Sequence, residues 1–475
     1  MLYLDSTSNE PFYQQLYQQI VEGIHDGTYP EGSRLPSIRA CARDLHVSTN
    51  TIEQAYRLAV QEDLVLTKPG SGYFVNKQPK RDHDSFVFSK EYQADIERLK
   101  AICAPATEES DVRYDFRYDN LEPDSFPYTT WARVTRNVLF SKHAPSAARY
   151  SDPQGLFSLR KQIARHLAHE DNTRAIPEQI IVLSNTRAII STVASLFDRT
   201  TTEVCVENPG FNEVHAGFAN LGMKVSSYPA FSPTSLTLPQ PKDGRQLVLF
   251  ITPSCQFPTT AVLNTEQRKQ LLAWAEETDS YVIVDTYGQE FQTGIRRSPS
   301  LQSMDANGRI ITIGSFSRSL SPSLCISYAV LPPKLMIEWI EKNRGYHAQV
   351  PWQTQAALSS YMANGFWQNH LQKLHASYSE KRKQLVRCLQ TYMAGKIDVM
   401  DGNAGLHVLV RTKDGRSADE LIASAAEYGI AVYPTDIYWA DGTPRGWNFV
   451  LVGCSAIPLE SIEPGIRLLT EAWFG

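Results

Sequence analysis

Short, almost uninterrupted apolar segments alternate with helical segments between residues 179 and 331. The apolar segments are Gln179–Leu183, Glu203–Val206, Leu247–Thr252, Tyr281–Asp285, Ile310–Ile313 and Ile326–Leu331. A strand that is apolar on both faces must be covered on both faces, and its alternation with helices is typical of parallel sheets. The pattern therefore predicts an α/β fold with a mostly parallel sheet covered by helices.

The first 75 residues predict a smaller and different domain. Residues 12–24 repeat apolar side chains at helical spacing, and Ser37 and Ser48 each stand where a further helix should begin, because serine caps helix N-termini. Short apolar segments then flank a glycine turn within residues 64–75, as in a β-hairpin. Helix, helix-turn-helix and hairpin together predict a winged helix over residues 1–76.

Sequence blocks at 34–39, 47–56 and 70–75 resemble the GntR-type DNA-binding domain. That resemblance implies that the N-terminal end of the helix begun by Ser48 faces the major groove, with arginines on phosphates and a wing beside them. An amide such as Asn50 can contact adenine with two hydrogen bonds. The DNA-binding residues that the resemblance implies are Arg34, Ser37, Arg39, Ser48, Thr49, Asn50, Thr51, Lys68, Gly70, Ser71 and Gly72.

The charge of this region leaves an alternative open. Residues 1–75 carry five basic and nine acidic side chains, and Thr49 stands where the family often has arginine. A winged helix that binds protein instead of DNA would suit such a balance. We expect double-stranded DNA as the partner, because acidic residues such as Glu22 and Asp26 lie away from the reading helix.

Residues 77–112 are polar and charged, which predicts a linker, and helical spacing over 92–103 predicts a helix within it. The remaining residues, 113–475, form the predicted body. We expect a large subdomain at about 150–350 and a smaller α+β subdomain built from about 113–149 and 351–475.

Motifs along the body resemble the fold-type I aminotransferase domain of MocR/GabR-like regulators. They include Asp115-Phe116-Arg117, the segment 150–155, Glu207-Asn208-Pro209-Gly210-Phe211 and the segment 252–259. The resemblance implies an aminotransferase-like fold whose pyridoxal-phosphate (PLP) pocket lies at a subunit interface. It therefore implies a homodimer that presents two DNA-reading heads.

The same resemblance assigns residues to a ligand pocket. Asp285 matches the carboxylate that pairs with the pyridinium nitrogen, and Tyr287 matches the phenol that contacts the ring oxygen. A turn at 185–187 joins a strand to a helix N-terminus, where a phosphate can be held. The pocket residues are Tyr150, Asn185, Thr186, Arg187, Phe211, Cys255, Asp285, Tyr287, Ser315, Ser317, Arg318 and Cys325.

Arg318 stands where these aminotransferases carry the lysine that attaches PLP. A guanidinium stays protonated and cannot act as that nucleophile. Three further positions depart from the family. Cys325 replaces an arginine, Cys255 replaces a histidine or asparagine, and Thr260 replaces a glycine. We therefore expect no catalytic residues and no covalent PLP, whereas non-covalent PLP or another small anion remains possible, because arginine binds phosphates and carboxylates.

Several of these residues have simpler explanations. Asp285 could cap the next element, and Arg318 could form a structural ion pair. His407 lies in a family motif, yet we expect it to be a packed core histidine. Arg445 and Arg467 lie in the C-terminal third, but neither is convincingly placed to hold a substrate carboxylate.

The composition excludes other classes of protein. The seven cysteines lack a CxxC pair, which indicates reduced thiols in the cytoplasm and no metal site. Apolar runs are far shorter than the roughly 20 residues that span a bilayer, so we expect no membrane partner. The net charge of −5 requires any DNA contact to come from a local arrangement of charge.

These observations predict a cytoplasmic, DNA-binding transcriptional regulator with a catalytically inactive aminotransferase-like body. The body would dimerise and sense a small anionic effector. Two alternatives stay open: a working PLP-dependent aminotransferase fused to a DNA-binding head, and a ligand-free scaffold that only pairs the heads.

Overall fold

The structure is a computed structural model of the chain. It describes residues 2–4, 10–77, 89–103, 112–118, 120–141, 148–291, 299–402 and 404–475, with only the backbone at 123 and 171. The described residues up to 103 and those from 112 onward form two separate compact units. Within these ranges, no helix combines the length and the apolar character needed to cross a membrane.

The first unit is a winged helix. It contains α1 (Phe12–His25), α2 (Ile38–Asp44), α3 (Thr49–Gln61) and the antiparallel hairpin of β1 (Val65–Lys68) and β2 (Gly72–Val75). The two predicted serine caps are confirmed, because the hydroxyls at 37 and 48 accept hydrogen bonds from the backbone at 40 and 51. Its core joins all three helices to the hairpin through Leu16, Ile20, Leu35, Ile52, Ala55, Tyr56, Ala59, Val65 and Val75.

Residues 33–35 run beside β2 and widen the wing. Leu35 N donates to the carbonyl of Tyr73, and Val75 N donates to the carbonyl of Ser33, each at 2.9 Å. Arg34 is thereby paired with Phe74 in an antiparallel bridge. The segment that leads into α2 is thus fixed to the hairpin.

Helix α4 (Lys90–Ile102) lies within the predicted linker. Its apolar side chains are largely exposed, among them Tyr92, Leu99 and Ile102. The other predicted linker segments, 78–88 and 104–111, lie outside the described residues. The linker boundaries therefore stay a prediction.

The body begins with the short strand β3 (Tyr114–Asp115) and then builds a large sheet. In its described part, that sheet contains β4 (Ile180–Leu183), β5 (Thr202–Asn208), β6 (Lys224–Pro229), β7 (Gln246–Ile251), β8 (Tyr281–Asp285), β9 (Ile310–Ser315) and β10 (Ser327–Val330). The spatial order is β4-β10-β9-β8-β7-β5-β6, and β10 runs antiparallel to both of its neighbours. The predicted, mostly parallel sheet is confirmed. The sequence analysis missed β6, an edge strand with few apolar residues.

Helices cover both faces of this sheet. They are α5 (Tyr128–Leu139), α6 (Phe157–Asp171), α7 (Thr186–Ala194), α8 (Asn212–Asn220), α9 (Thr265–Glu277), α10 (Leu301–Met304), α11 (Pro333–Asn343) and α12 (Trp352–Ala363). Ile181 and Leu183 pack with α7, α8 and α11, whereas Ile180 and Val182 pack with α5, α6 and α12. Alternate residues of one strand are thus buried on opposite faces, as the uninterrupted apolar segments require.

The C-terminal residues form a smaller α+β layer. It contains the helices α13 (Phe366–Tyr392), α14 (Ala418–Glu427) and α15 (Leu459–Phe474) and the strands β11 (Ile397–Met400), β12 (His407–Thr412), β13 (Ile430–Ala431), β14 (Tyr433–Pro434) and β15 (Val450–Gly453). Strands β11, β12, β15 and β14 pair antiparallel in that order, while β13 pairs in parallel with β3. The predicted smaller α+β part is therefore present.

Helix α13 connects the two parts of the body. Trp367 near its start packs into the core beneath the large sheet, and Leu385 and Leu389 near its end pack into the core of the smaller layer. At 1.5 Å per residue, its 27 residues span roughly 40 Å.

Helices α5 and α12 pack on the large sheet, although their residues were predicted to belong to the small subdomain.

Candidate DNA-reading face and ligand pocket

The N-terminal end of α3 is exposed. The Ser48 hydroxyl accepts a hydrogen bond from Thr51 N at 3.2 Å and lies 2.8 Å from the Thr51 hydroxyl, which fixes the first turn. Thr49 and Asn50 project into solvent from that turn, whereas Thr51 is half-buried. The side chains that the sequence assigned to base reading therefore stand at an accessible helix end.

The lysine and arginine side chains of the winged helix fall into two groups. Arg43 pairs with Asp44, and Arg57 pairs with Glu53. Arg34, Arg39 and Lys68 are exposed, and none of them pairs with an acidic side chain among the described residues. The three cations that the sequence assigned to DNA thus keep their charge available for phosphate.

The wing turn is exposed and rich in left-handed backbone. Gly70 has φ +74° and Gly72 has φ +107°, both in the region that favours glycine. Ser37 and Ser71 are exposed as well, and Ser37 uses its side chain as the cap of α2. The wing therefore presents mostly backbone to a partner at this turn.

A cavity of about 250 Å³ opens in the body where β8 and β9 end. Ligands of open α/β sheets bind at the carboxyl ends of strands. The predicted pocket residues that line it are Thr186, Phe211, Asp285, Tyr287, Ser315, Ser317 and Arg318. The sequence analysis did not identify the other lining residues, which are Ile189, Glu213, Val214, Thr286, Gly288, Glu290, Phe291, Ile313, Gly314 and Pro322.

Asp285 is the last residue of β8 and is half-buried. Its Oδ1 accepts a hydrogen bond from Tyr287 N at 3.0 Å, so the carboxylate does cap the following turn. Burial raises the pKa of Asp285 to about 6, while that hydrogen bond and the positive charge of Arg318 oppose the rise. The hydrogen bond from Tyr287 N occupies one carboxylate oxygen and leaves the other for a ligand.

The aromatic walls meet at Tyr287. Its hydroxyl is buried and has no hydrogen-bond partner in the described part of the chain. The Phe211 ring stands at 88° to the Tyr287 ring, with centroids 5.4 Å apart, and stacks on Phe257 at 4.2 Å. Phe291 lines the other side and packs edge-on against Tyr378 of α13 at 5.2 Å. A buried hydroxyl without a partner, such as that of Tyr287, is typical of a site that binds a polar ligand group.

Arg318 lies against two tyrosines. Its Nη1 donates to the carbonyl of Tyr118 at 3.2 Å. Its guanidinium carbon lies 5.0 Å from the centroid of the Tyr118 ring and 4.6 Å from that of Tyr287, within the range of cation–π contacts. No lysine is among the described residues that line the cavity. The guanidinium of Arg318 thus packs against the faces of the Tyr118 and Tyr287 rings.

Hydroxyl and backbone donors lie at another wall. Ser315 Oγ donates to Ser317 Oγ at 2.9 Å, and Ser317 N donates to Ser315 Oγ at 3.1 Å. Thr186 is the first residue of α7, and the Asn185 side chain caps that helix by accepting from Ala188 N at 3.0 Å. A helix N-terminus beside hydroxyl groups favours an anion.

Other predicted pocket residues are not among those that line the cavity. Arg187 is exposed, and Tyr150 is 84% exposed with its ring stacked on His347 at 3.9 Å. Cys325 has a left-handed φ of 49°, and its thiol points at the Pro322 carbonyl, 3.6 Å away. Cys255 is fully buried directly behind Gly288, and burial raises its pKa to about 12.

Two further ionisable groups are buried close to these strand ends. Glu207, the family-motif glutamate on β5, accepts hydrogen bonds from the backbone N of Thr252 at 2.9 Å and from the Thr252 hydroxyl at 2.6 Å. Burial raises the pKa of Glu207 to about 8. His407 Nε2 lies 2.8 Å from the Pro258 carbonyl, and burial lowers the pKa of His407 to about 3. His407 is therefore a packed core histidine, as predicted from the sequence.

Comparison with known proteins agrees with both units. Residues 12–75 match the family of bacterial regulatory proteins called gntR, and residues 118–446 match aminotransferase class I and II. The uncharacterized HTH-type transcriptional regulator YhdI of Bacillus subtilis (strain 168) is 32% identical over 474 residues, which cover 99% of this chain and 97% of that protein. The probable rhizopine catabolism regulatory protein MocR of Rhizobium meliloti is 26% identical over 482 residues, which cover 100% of this chain and 96% of that protein.

The body also resembles solved enzyme structures. The alpha-aminoadipate aminotransferase LysN of Thermus thermophilus superposes with a TM-score of 0.65 at 23% identity, over 76% of this chain and 92% of that chain. That likeness shows the fold alone. This chain belongs to the MocR-like HTH-type transcriptional regulators, in which a gntR-family DNA-binding domain is fused to an aminotransferase class I and II domain.

Proposed function

We propose that this regulator binds its operator as a homodimer in the cytoplasm and that its body binds a small anionic ligand without catalysing a reaction. The reading end of α3, together with Arg34, Arg39 and Lys68, contacts the DNA. The body cavity at the ends of β8 and β9 holds the ligand. Binding of the ligand is coupled to the DNA-bound state.

The observation that carries the proposal is the identity and setting of Arg318. It lines the cavity, it is a guanidinium and not an amine, and its charge lies on the Tyr118 and Tyr287 rings. A guanidinium can hold a phosphate or carboxylate with two hydrogen bonds, but it cannot lose a proton to become a nucleophile. These properties favour ligand binding over catalysis.

The residues present fit PLP as a non-covalent ligand. Asp285 suits a pyridine nitrogen, and the unpartnered Tyr287 hydroxyl suits a ring oxygen. The Ser315 and Ser317 hydroxyls with the N-terminus of α7 suit a phosphate. PLP acts as an electron sink once it is covalently attached through an amine. With Arg318 at the attachment position, this chain would hold PLP, or another small anion, as an effector.

A homodimer accounts for Tyr150, which is 84% exposed in the single chain. In fold-type I relatives, the matching residue reaches the phosphate of the neighbouring subunit. Two paired bodies would present two winged helices to two half-sites of one duplex. The size of the particle in solution, measured by light scattering, tests this part of the proposal directly.

A thermal-shift screen tests the ligand. The full-length protein is melted with PLP, other B6 vitamers, amino acids and phosphorylated metabolites, because a ligand that binds only the folded state raises the melting temperature. We expect at least one anionic compound to raise it, and Arg318→Ala to abolish that rise. If no compound shifts the melting of the wild type, the body is a dimerisation scaffold and the ligand proposal is wrong.

A further inference from the structure

The hairpin, together with the segment 33–35 beside β2, places two cations on one face of the wing. Arg34 is paired with Phe74, and Lys68 is paired with Gly72, so their side chains project to the same side of the sheet as Phe74. Tyr73 projects to the opposite side and packs against the Tyr56 ring at 4.9 Å. The face with Arg34 and Lys68, here called the wing face, is therefore the one that points away from the core.

Arg34 lies directly on the backbone of Gly72. A Cβ atom added at Gly72 would lie 3.3 Å from Arg34 Nε and 3.4 Å from Nη2. The guanidinium therefore lies in tight contact with the position of such a Cβ. Alanine at position 72 would require Arg34 to shift by a few tenths of an ångström, and the φ of +107° is a conformation that residues with a side chain rarely adopt.

Lys68 reaches the same region from the other strand. Its Nζ lies 4.5 Å from the centroid of the Phe74 ring, which is itself opposite Arg34. Neither Arg34 nor Lys68 has an acidic partner among the described residues. Arg34 and Lys68 are thus exposed cations on opposite sides of β2, with Gly72 of β2 between them, and such a surface suits a phosphate group.

We infer that Gly72 is a positioning residue, which seats Arg34 so that Arg34 and Lys68 together bind a phosphate of the DNA backbone at the wing face. This inference rests on the proposed DNA binding. It adds that the wing increases the affinity for the DNA phosphate backbone through Arg34, whose side chain comes from outside the hairpin. Base reading remains with the exposed end of α3.

Fluorescence anisotropy of the full-length protein with a labelled double-stranded DNA of mixed sequence tests the inference across a series of salt concentrations. Gly27→Ala is the matched control, because Gly27 also has a positive φ, nothing lies within 4 Å of an added Cβ, and the residue is not among those assigned to DNA. We expect Gly72→Ala to weaken binding about fivefold and to reduce the slope of log affinity against log salt by about one. Gly27→Ala should change neither quantity by a comparable amount.

The double variant Arg34→Ala/Gly72→Ala separates displacement of Arg34 from strain in the backbone. If Gly72 acts through Arg34, Gly72→Ala causes no further loss of affinity once Arg34 is absent. An equal loss in both backgrounds, or equal losses for Gly27→Ala and Gly72→Ala, would overturn the inference while the wild type still binds. A wild type that does not bind the duplex would instead overturn the proposed function.

Discussion

The guanidinium carbon of Arg318 lies 4.6 Å from the centroid of the Tyr287 ring. Tyr287 also carries the buried hydroxyl that has no partner in the described part of the chain. A permanent cation and an unsatisfied phenol thus share one wall of the cavity. An acceptor oxygen of a ligand at this wall can take a hydrogen bond from the Tyr287 hydroxyl and lie beside the guanidinium charge.

Arg318→Lys should restore an attachment point for PLP. We expect the purified variant, incubated with PLP, to gain visible absorbance and to retain one PLP mass after borohydride reduction, because lysine can form the covalent bond that guanidinium cannot. Absorbance spectra and intact-mass spectrometry measure both results.

Arg318→Gln is the control for that experiment, since it removes the charge without supplying an amine. The wild type and Arg318→Gln should stay unmodified. A wild-type protein that already carries a borohydride-stable adduct at this pocket would contradict the expectation of no covalent PLP and would favour the enzyme alternative.

Arg39→Ala should weaken operator binding by about tenfold, because an exposed arginine without an acidic partner loses a charge-assisted phosphate contact. Gel shifts or anisotropy measure the change. Arg43→Ala is the matched control, since Arg43 lies on the same helix and pairs with Asp44 at 3.5 Å. Equal affinities of the Arg39 variant and the wild type would contradict the docking of α2 and α3 on DNA.

Ser48→Ala should lower the free energy of unfolding of the N-terminal unit by about 1 kcal/mol, because the first turn of α3 loses its cap. Thermal melting followed by circular dichroism reports the change. Ser48→Asn is the control, as asparagine caps equally well. The idea fails if both variants melt at the same temperature.

Glu207→Gln should remove a pH dependence from the stability of the body. The folded-state pKa of Glu207, about 8, lies above its ordinary value of 4.5, so the folded chain keeps a proton that the unfolded chain releases. Stability contributed by this group is therefore present below pH 4.5 and is lost as the pH rises towards 8.

We expect the wild type and Glu207→Gln to melt alike at pH 5 and to separate by an amount on the order of 2–4 kcal/mol at pH 9, with the variant more stable. Melting curves at several pH values provide the measurement. Parallel curves across the whole range would mean that Glu207 is ionised at no cost in the fold.

Local signals made much of the fold predictable. Ser37 and Ser48 begin helices because each precedes an apolar-periodic segment, and Asp285 ends a strand because its apolar run stops there. Strand β6 was missed, since an edge strand needs few apolar residues. The placement of α5 and α12 on the large sheet is a matter of tertiary packing, which the order of residues along the chain does not reveal.

The candidate site was predictable only in part. Asp285, Tyr287 and Arg318 came from motif positions, and they line one cavity. Tyr118 was missed, although it directly follows a recognised motif, because its contact with Arg318 joins residues 200 positions apart. Cys255 lies one layer deeper than expected, since Gly288 intervenes between it and the cavity.

Helix α13 carries a mechanical consequence. Tyr378, near the middle of this helix, touches Phe291 at the cavity wall, while the two ends of the helix are anchored in different cores. We therefore expect a ligand that displaces Phe291 to disturb Tyr378 as well, and Tyr378 belongs to a helix whose ends are packed in both cores of the body.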